Sequence, residues 1–180
     1  MSRYVAFLRA LNTGKDRTVK MTAIRTVFES LGYLDVATVS VSGNVVFDTT
    51  TRDQHALEGE IEKKLFEALG LEITTLIRSG AELAAVAAHR PFPQSAVETA
   101  TEFNIIFLSD LLDEESIQKL KVLANDENEF HVFEREIYWL RHLRPGGSSF
   151  SPVPLNKAVL RPFTIRTENM VMKIVRKYCS

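Results

Sequence analysis

Apolar residues are spaced along this chain in short runs and helical stripes, predicting an alternation of strands and helices. Residues 3–11 (RYVAFLRAL) form an apolar run of strand length, closed by a polar turn at 12–16. Over 20–31, Met21, Ile24, Val27, Phe28 and Leu31 recur at helical spacing, and Gly32 follows as a natural stop. The β-branched runs 36–41 and 45–47 flank Ser42, Gly43 and Asn44, residues that tolerate the backbone of a hairpin turn. A second amphipathic helix is expected over 53–69, with Leu57, Ile61 and Leu65 inward and Gly70 at its end. A strand over 71–77 follows. Ser79 and Glu82 then have the spacing of a capping box, which opens a helix over 81–88.

Residues 91–101, with Pro91, Pro93 and small polar residues, read as a linker, and beyond it the order of elements repeats. A strand is expected over 103–109, a helix over 113–124 and a hairpin of 129–133 with 136–143 around Glu134 and Arg135. A Gly, Ser and Pro-rich loop leads to a short helix at 155–160, a strand at 163–166 and a closing helix at 168–177. Both halves therefore read βαββαβ plus a helix. That order predicts an α+β protein of two tandem ferredoxin-like units, each an antiparallel sheet with helices on one face. The expected division is a first unit over 1–90, a linker over 91–101 and a second unit over 102–180. In the first half, Phe7, Phe28, Val46 and Leu65 are expected to form one apolar cluster.

Composition is that of an ordinary globular chain, 45% hydrophobic and 25% charged over 180 residues. The lone cysteine, Cys179, excludes an internal disulfide framework and belongs to no metal-ligand spacing. No apolar run reaches the ~20 residues of a membrane span, and the N-terminus lacks a signal-peptide pattern. A cytoplasmic protein without membrane partners is expected. The net charge of −1 is unevenly spread: residues 1–25 carry +5, residues 141–180 carry +7 and the stretch between them −13. The two basic ends motivate an anion-attracting surface centred on Arg9 and Arg166.

Motifs for particular chemistry are absent. No nucleophile elbow accompanies His55, His89, His131 or His142, so no catalytic residue is identified. His131, Glu134, Glu136 and His142 cluster around one hairpin but lack ligand spacing, so neither a metal nor a cofactor is expected. The acids Asp113, Glu114 and Glu115 open a helix, where they offset its dipole. A phosphate-binding glycine motif is missing, and the loop 144–149 reads as a connector. Nucleic acid is supported only by the basic ends: the hairpin strand offers Val45, Val46 and Phe47 instead of stacking aromatics, and overall charge is near zero. Arg9, Asn12, Lys20, Ser42, Asn44, Arg166 and Asn169 remain as polar groups near turns. They supply hydrogen-bond donors, and none is a ready general base at neutral pH. Such a set suits a non-enzymatic binding module for an anionic ligand: a nucleotide, a phosphorylated metabolite or a nucleic-acid backbone. Two other readings stay open, an enzyme using a carboxylate or histidine in a cleft between the halves, and a protein-interaction module.

Three stretches together, YVAFLRALNTGKDRTVKM, VSVSGNVVFDT and LNKAVL with TIRTENMVMKI, carry a family resemblance. They resemble the bacterial family known as domain of unknown function 1697. By that resemblance Arg9, Asn12, Lys20, Met21, Ser42, Gly43, Asn44, Asn156 and Arg166 are motif positions. Ala10 stands where the family usually has glycine, Glu168 where tryptophan is usual, and Met170 in place of a threonine. Any site built by the family's closing segment is therefore expected to be altered here. The resemblance implies fold and location and leaves the function open.

Overall fold

The computed structural model describes residues 1–9, 18–146 and 153–179. In chain order the elements of the first half are β1 (Ser2–Leu8), α1 (Met21–Ser30), β2 (Leu34–Val39), β3 (Asn44–Thr49), α2 (Gln54–Leu69), β4 (Thr75–Ser79) and α3 (Gly80–Ala88). The second half contains α4 (Gln94–Thr99), β5 (Glu102–Leu108), α5 (Glu114–Leu123), β6 (Asn128–Phe133), β7 (Glu136–Arg141), α6 (Leu155–Ala158), β8 (Phe163–Thr167) and α7 (Glu168–Ile174). A π-helical turn, Val175–Cys179, continues α7.

Two antiparallel four-stranded sheets result, ordered β2-β3-β1-β4 and β6-β7-β5-β8. The first and third strands of each repeat are central, so βαββαβ occurs twice with the same strand order. In the first sheet Val5 pairs with Val46 on one side and Arg78 on the other; in the second, Ile105 pairs with Tyr138 and Arg166.

The helices of the first unit close one face of its sheet. Tyr4, Ala6 and Leu8 of β1, with Val45 and Phe47 of β3, meet Ile24, Val27 and Phe28 of α1 and Leu57, Ile61 and Leu65 of α2. Phe28 and Phe47 rings meet edge to face at 5.4 Å. Phe7 and Val46 are as deeply buried but lie outside this cluster, which corrects the expectation that they share it with Phe28 and Leu65. Successive side chains alternate across a strand, and β1 from Tyr4 to Leu8 and the 45–47 run of β3 are apolar on both faces. Their sequences therefore carry no period-two signal to say which residues look toward the helices. In the second unit, Ile106, Leu108, Ile137 and Trp139 pack with Leu120, Leu155 and Val159 in the equivalent helix-side core.

Local chemistry sets the ends of the helices as the sequence requires. Ser79 and Glu82 form a reciprocal capping box, with Ser79 N donating to Glu82 Oε2 at 2.7 Å and Glu82 N to Ser79 Oγ at 3.2 Å. Asp53 caps α2 and Asp113 caps α5 through their carboxylates. Gly70 ends α2 at φ +66°, a left-handed conformation that costs glycine little.

The contacts divide the chain between Ala87 and Ala88, slightly inside the expected 1–90 unit, and return the segment from Met172 onward to the first unit. Residues 91–101 are not a bare linker: they contain α4, and Thr101 N donates to Arg141 O at 2.7 Å, which ties the stretch into the second unit. The terminal segment is clasped by Arg3, whose guanidinium grips Asp48 through two 2.8 Å hydrogen bonds and donates to Tyr178 O at 3.1 Å. This clasp joins positions far apart in sequence, so helix and strand periodicity alone could not assign residues 172–179 to the first unit.

Phe28 has no exposed surface and touches two other aromatic rings. Phe28→Ala is expected to cost about 3–5 kcal/mol in urea-induced unfolding. A cost below about 1 kcal/mol would mean that the helix does not bury this face.

Candidate functional site

At the edge of the first sheet where β1 ends, four of the candidate residues come to the same end of the unit. Arg9 follows the last residue of β1 and is exposed, and its N–H donates to Thr74 O at 2.8 Å. The β2–β3 hairpin reaches the same end, with Leu8 N donating to Gly43 O at 2.8 Å. Lys20, exposed and extended at φ −72°, ψ 134°, immediately precedes α1. Beside it a cleft of about 670 Å³ is lined by Thr18, Val19, Lys20 and Ala23 on one side and Leu69, Gly70 and Leu71 on the other.

Asn44 and Ser42 hold this edge in shape. The Asn44 side chain is fully buried, and its Nδ2 donates to Val39 O at 2.9 Å and to Ser42 Oγ at 3.1 Å. Gly43 between them sits at φ +79°. These residues determine where the hairpin ends and hence where Arg9 leaves the sheet. Asn12 lies outside the described residues. Arg166 lies on β8 in the second unit, 7% exposed, with Nη1 donating to Thr164 Oγ1 and Ile165 O at 2.8 Å each. Burial pushes its pKa down to about 10.

The first turn of the helix that starts here carries no acid. Lys20 occupies the cap position of α1 without a capping side chain, and the first turn contains no Asp or Glu. The first N–H groups of a helix have no partner within it and carry the positive end of its dipole. The C-terminal end of α2, at Gly70, borders the same cleft and partly offsets that field, whereas Lys20 reinforces it. The second unit provides an internal comparison. There the helix after the first strand, α5, is capped by Asp113, whose Oδ1 accepts from Ser116 N at 2.8 Å, and its first turn carries Glu114 and Glu115. That hydrogen bond, helped by Arg161, holds the Asp113 carboxyl below its usual range. At corresponding places one helix start is satisfied by acids of the chain and the other faces cations.

Sequence reasoning did not single out two other buried arginines, Arg78 and Arg141. Arg78 on β4 is 1% exposed, and its Nη1 donates to Ile77 O at 2.8 Å, as Arg166 does to Ile165 O. The signal was present as Ile-Arg-Ser at 77–79 and Ile-Arg-Thr at 165–167, each in the last strand of its repeat. Among titratable groups, Glu58 is nearly buried, and burial raises its pKa. Its Oε1 accepts from Ile77 N at 2.8 Å and its Oε2 meets His55 Nδ1 at 3.1 Å, so both oxygens are engaged in joining α2 to β4 and to its own first turn. His142 pairs with Glu129, and no group of three or more His, Cys, Asp or Glu among the described residues is placed to hold a metal ion. His89 stacks on Phe133 at 4.0 Å, near His131 and Tyr138, and its Nε2 is buried without a hydrogen-bond partner.

Comparison with known proteins follows the same lines. The family described as "Protein of unknown function (DUF1697)" matches residues 1–138, and the chain belongs to this family. The match includes Arg9, Lys20, Ser42 and Asn44, and it stops before Asn156 and Arg166. The fold is similar to the structure of the conserved bacterial protein SP0830 from Streptococcus pneumoniae, with a TM-score of 0.74 at 20% identity, covering 97% of each chain. At that identity the likeness is one of fold. No curated protein matches the chain. Among the described residues, no helix is long and apolar enough to cross a membrane.

His89 generates a pH prediction. Burial, and then the charge of His131, lower its pKa below the ordinary 6.5. The unfolded chain thus binds this proton more tightly, and stability falls as pH drops through 6.5 but is insensitive to this group above it. His89→Phe keeps a ring against Phe133 and is expected to flatten the dependence of unfolding free energy on pH between about 5 and 7. An unchanged slope would assign the acid sensitivity to other groups.

Proposed function

We propose that this chain is a binding module for an anionic ligand, whose phosphate or carboxylate lies over the start of α1 beside Lys20 and Arg9. The observation that carries the proposal is a start of α1 that, among the described residues, has neither a capping side chain nor an acid in its first turn, at a cleft with Lys20 on its wall. Helix N-termini bind phosphate through their unpaired N–H groups and dipole, and the acid-capped start of α5 marks what the first unit lacks. An incoming anion would serve α1 as Asp113 serves α5.

The side chains at this edge favour binding over catalysis. Lysine and arginine donate hydrogen bonds and charge, and Ser42 and Asn44 are committed to the hairpin. A general base must reach the proton that it abstracts, and neither Glu58 nor any histidine lines the cleft among the described residues. A nucleotide, a phosphorylated metabolite or a nucleic-acid backbone would meet these donors equally well. The strand order of both sheets supports a ferredoxin-like reading of each unit. With the single cysteine, the family membership is consistent with a bacterial protein of the cytoplasm.

Calorimetric titration with ATP, inorganic polyphosphate and a short single-stranded RNA, at low and moderate salt, tests the proposal. Binding is expected at low salt and should weaken as salt screens the cations. Lys20→Glu and Arg9→Glu should each weaken it by about tenfold or more. If no anion binds at low salt, or both reversals leave binding unchanged, the cations at this edge are ordinary solvated side chains.

A further inference from the structure

We propose that the outer edge of β6 and the groove between it and α5 form a docking site for an extended segment of a partner protein, which adds a strand to the second sheet. β6 is an edge strand, paired only with β7. Backbone groups of successive residues in an antiparallel strand point to alternate sides. Glu127 O accepts from His142 N on the side of β7, whereas Asn128 exchanges backbone hydrogen bonds with Asn125 on the outer side. The alternation carries forward, so the N–H and C=O of Phe130 and Val132 point outward. Among the described residues no backbone group meets them there.

The same two residues turn their side chains toward the helix layer, where they pack against the core. With Ile117, Leu120 and Lys121 of α5 and Ala124 just after it they line a groove of about 410 Å³. Open main-chain groups beside an apolar groove are the two requirements for strand addition: the backbone supplies affinity and the groove receives alternate side chains.

The equivalent edge of the first unit is blunted. β2 carries a bulge between Leu34 and Ala37, and Asp35 within it has φ +49°. A bulge of this kind turns an edge away from pairing. β6 has an unbroken register from Asn128 to Phe133. One fold thus contains a protected and an unprotected version of the same edge.

Charge identifies the occupant further. Glu127 is engaged by Arg144 at 3.2 Å and Glu129 by His142 at 3.1 Å, whereas Lys121 on the groove wall has no ion pair among the described residues. An acidic residue of the added strand would meet Lys121, and its alternate apolar side chains would enter the groove. A second copy of this chain fits less well. Its Phe130 and Val132 already lie beneath its own α5 and are not available to fill the groove.

The test is selection of phage-displayed random dodecapeptides on the immobilised full-length chain, followed by fluorescence anisotropy with the enriched peptides. Enriched sequences should alternate apolar residues and carry an acid. Val132→Pro removes an outward N–H without breaking the ladder to β7, and should weaken binding by about tenfold or more. Lys121→Glu should shift the selection away from acidic peptides, and Ala124→Trp should block the groove. If Val132→Pro fails to fold, the Lys121 and Ala124 variants decide the matter. The proposal is overturned if no peptide is enriched above a blank surface, or if the foldable variants leave peptide binding unchanged. It is also overturned if sedimentation shows the chain self-associating through this edge, with Val132→Pro or Ala124→Trp abolishing the association.

Discussion

Each sheet is organised by a first strand that is paired on both edges and buried on both faces. In β1, the side chains from Tyr4 to Leu8 are all less than 5% exposed, and in β5 those from Ile105 to Leu108 are equally deep. A strand so placed has no freedom to slip, since a shift of one residue would exchange the two faces. Its pairing with the third strand fixes where the hairpin ends, through Leu8 N on Gly43 O in one unit and Leu108 N on Arg135 O in the other. Its pairing with the fourth fixes where the chain leaves the sheet, through Arg9 N on Thr74 O and Ser109 N on Pro162 O. The placement of the candidate site is thus a consequence of the central strand's hydrogen bonds.

The repeat is conserved in backbone geometry between the halves more than in chemistry. Its clearest side-chain trace is the pair Arg78 and Arg166, opposite Val5 and Ile105, each donating Nη1 to the preceding carbonyl. Removing a guanidinium from water costs several kcal/mol unless its donors are satisfied, which is why a carbonyl partner recurs at both positions. Elsewhere the two units have diverged: Asn44 and Glu136 both start a third strand, yet one is a neutral amide closing a hairpin and the other a carboxylate.

How much of this was legible in the sequence follows from which signals are local. Helix starts and stops rest on neighbouring residues, so the Ser79–Glu82 box and Gly70 could be read directly. The strand order followed from the order of elements. By contrast, strands apolar on both faces hide their orientation, which misplaced Phe7 and Val46 relative to Phe28. Long-range partners were equally hidden. Nothing near Arg3 in sequence announces its grip on Tyr178, and the charge of Arg166 gave no sign that the group is buried beside Thr164. Counting charges along the chain treated all cations as exposed, and burial removes Arg166 from that count. Arg9 and Lys20 survive it because both are exposed.

A duplicated fold offers the same positions twice, and differences between the copies distinguish structural need from recruited chemistry. If a helix following a first strand required an acid at its start, both α1 and α5 would have one; only α5 does. If an edge strand of this fold had to be bulged, β6 would be bulged as β2 is. Each unit therefore satisfies at one place what the other leaves open: the first protects its edge and exposes a cationic helix start, and the second caps its helix and leaves its edge strand bare. The folding stability of either unit cannot explain that exchange, because the fold tolerates both versions of each feature. On the two proposals made above, the open helix start and the open edge are the surfaces left for molecules outside the chain.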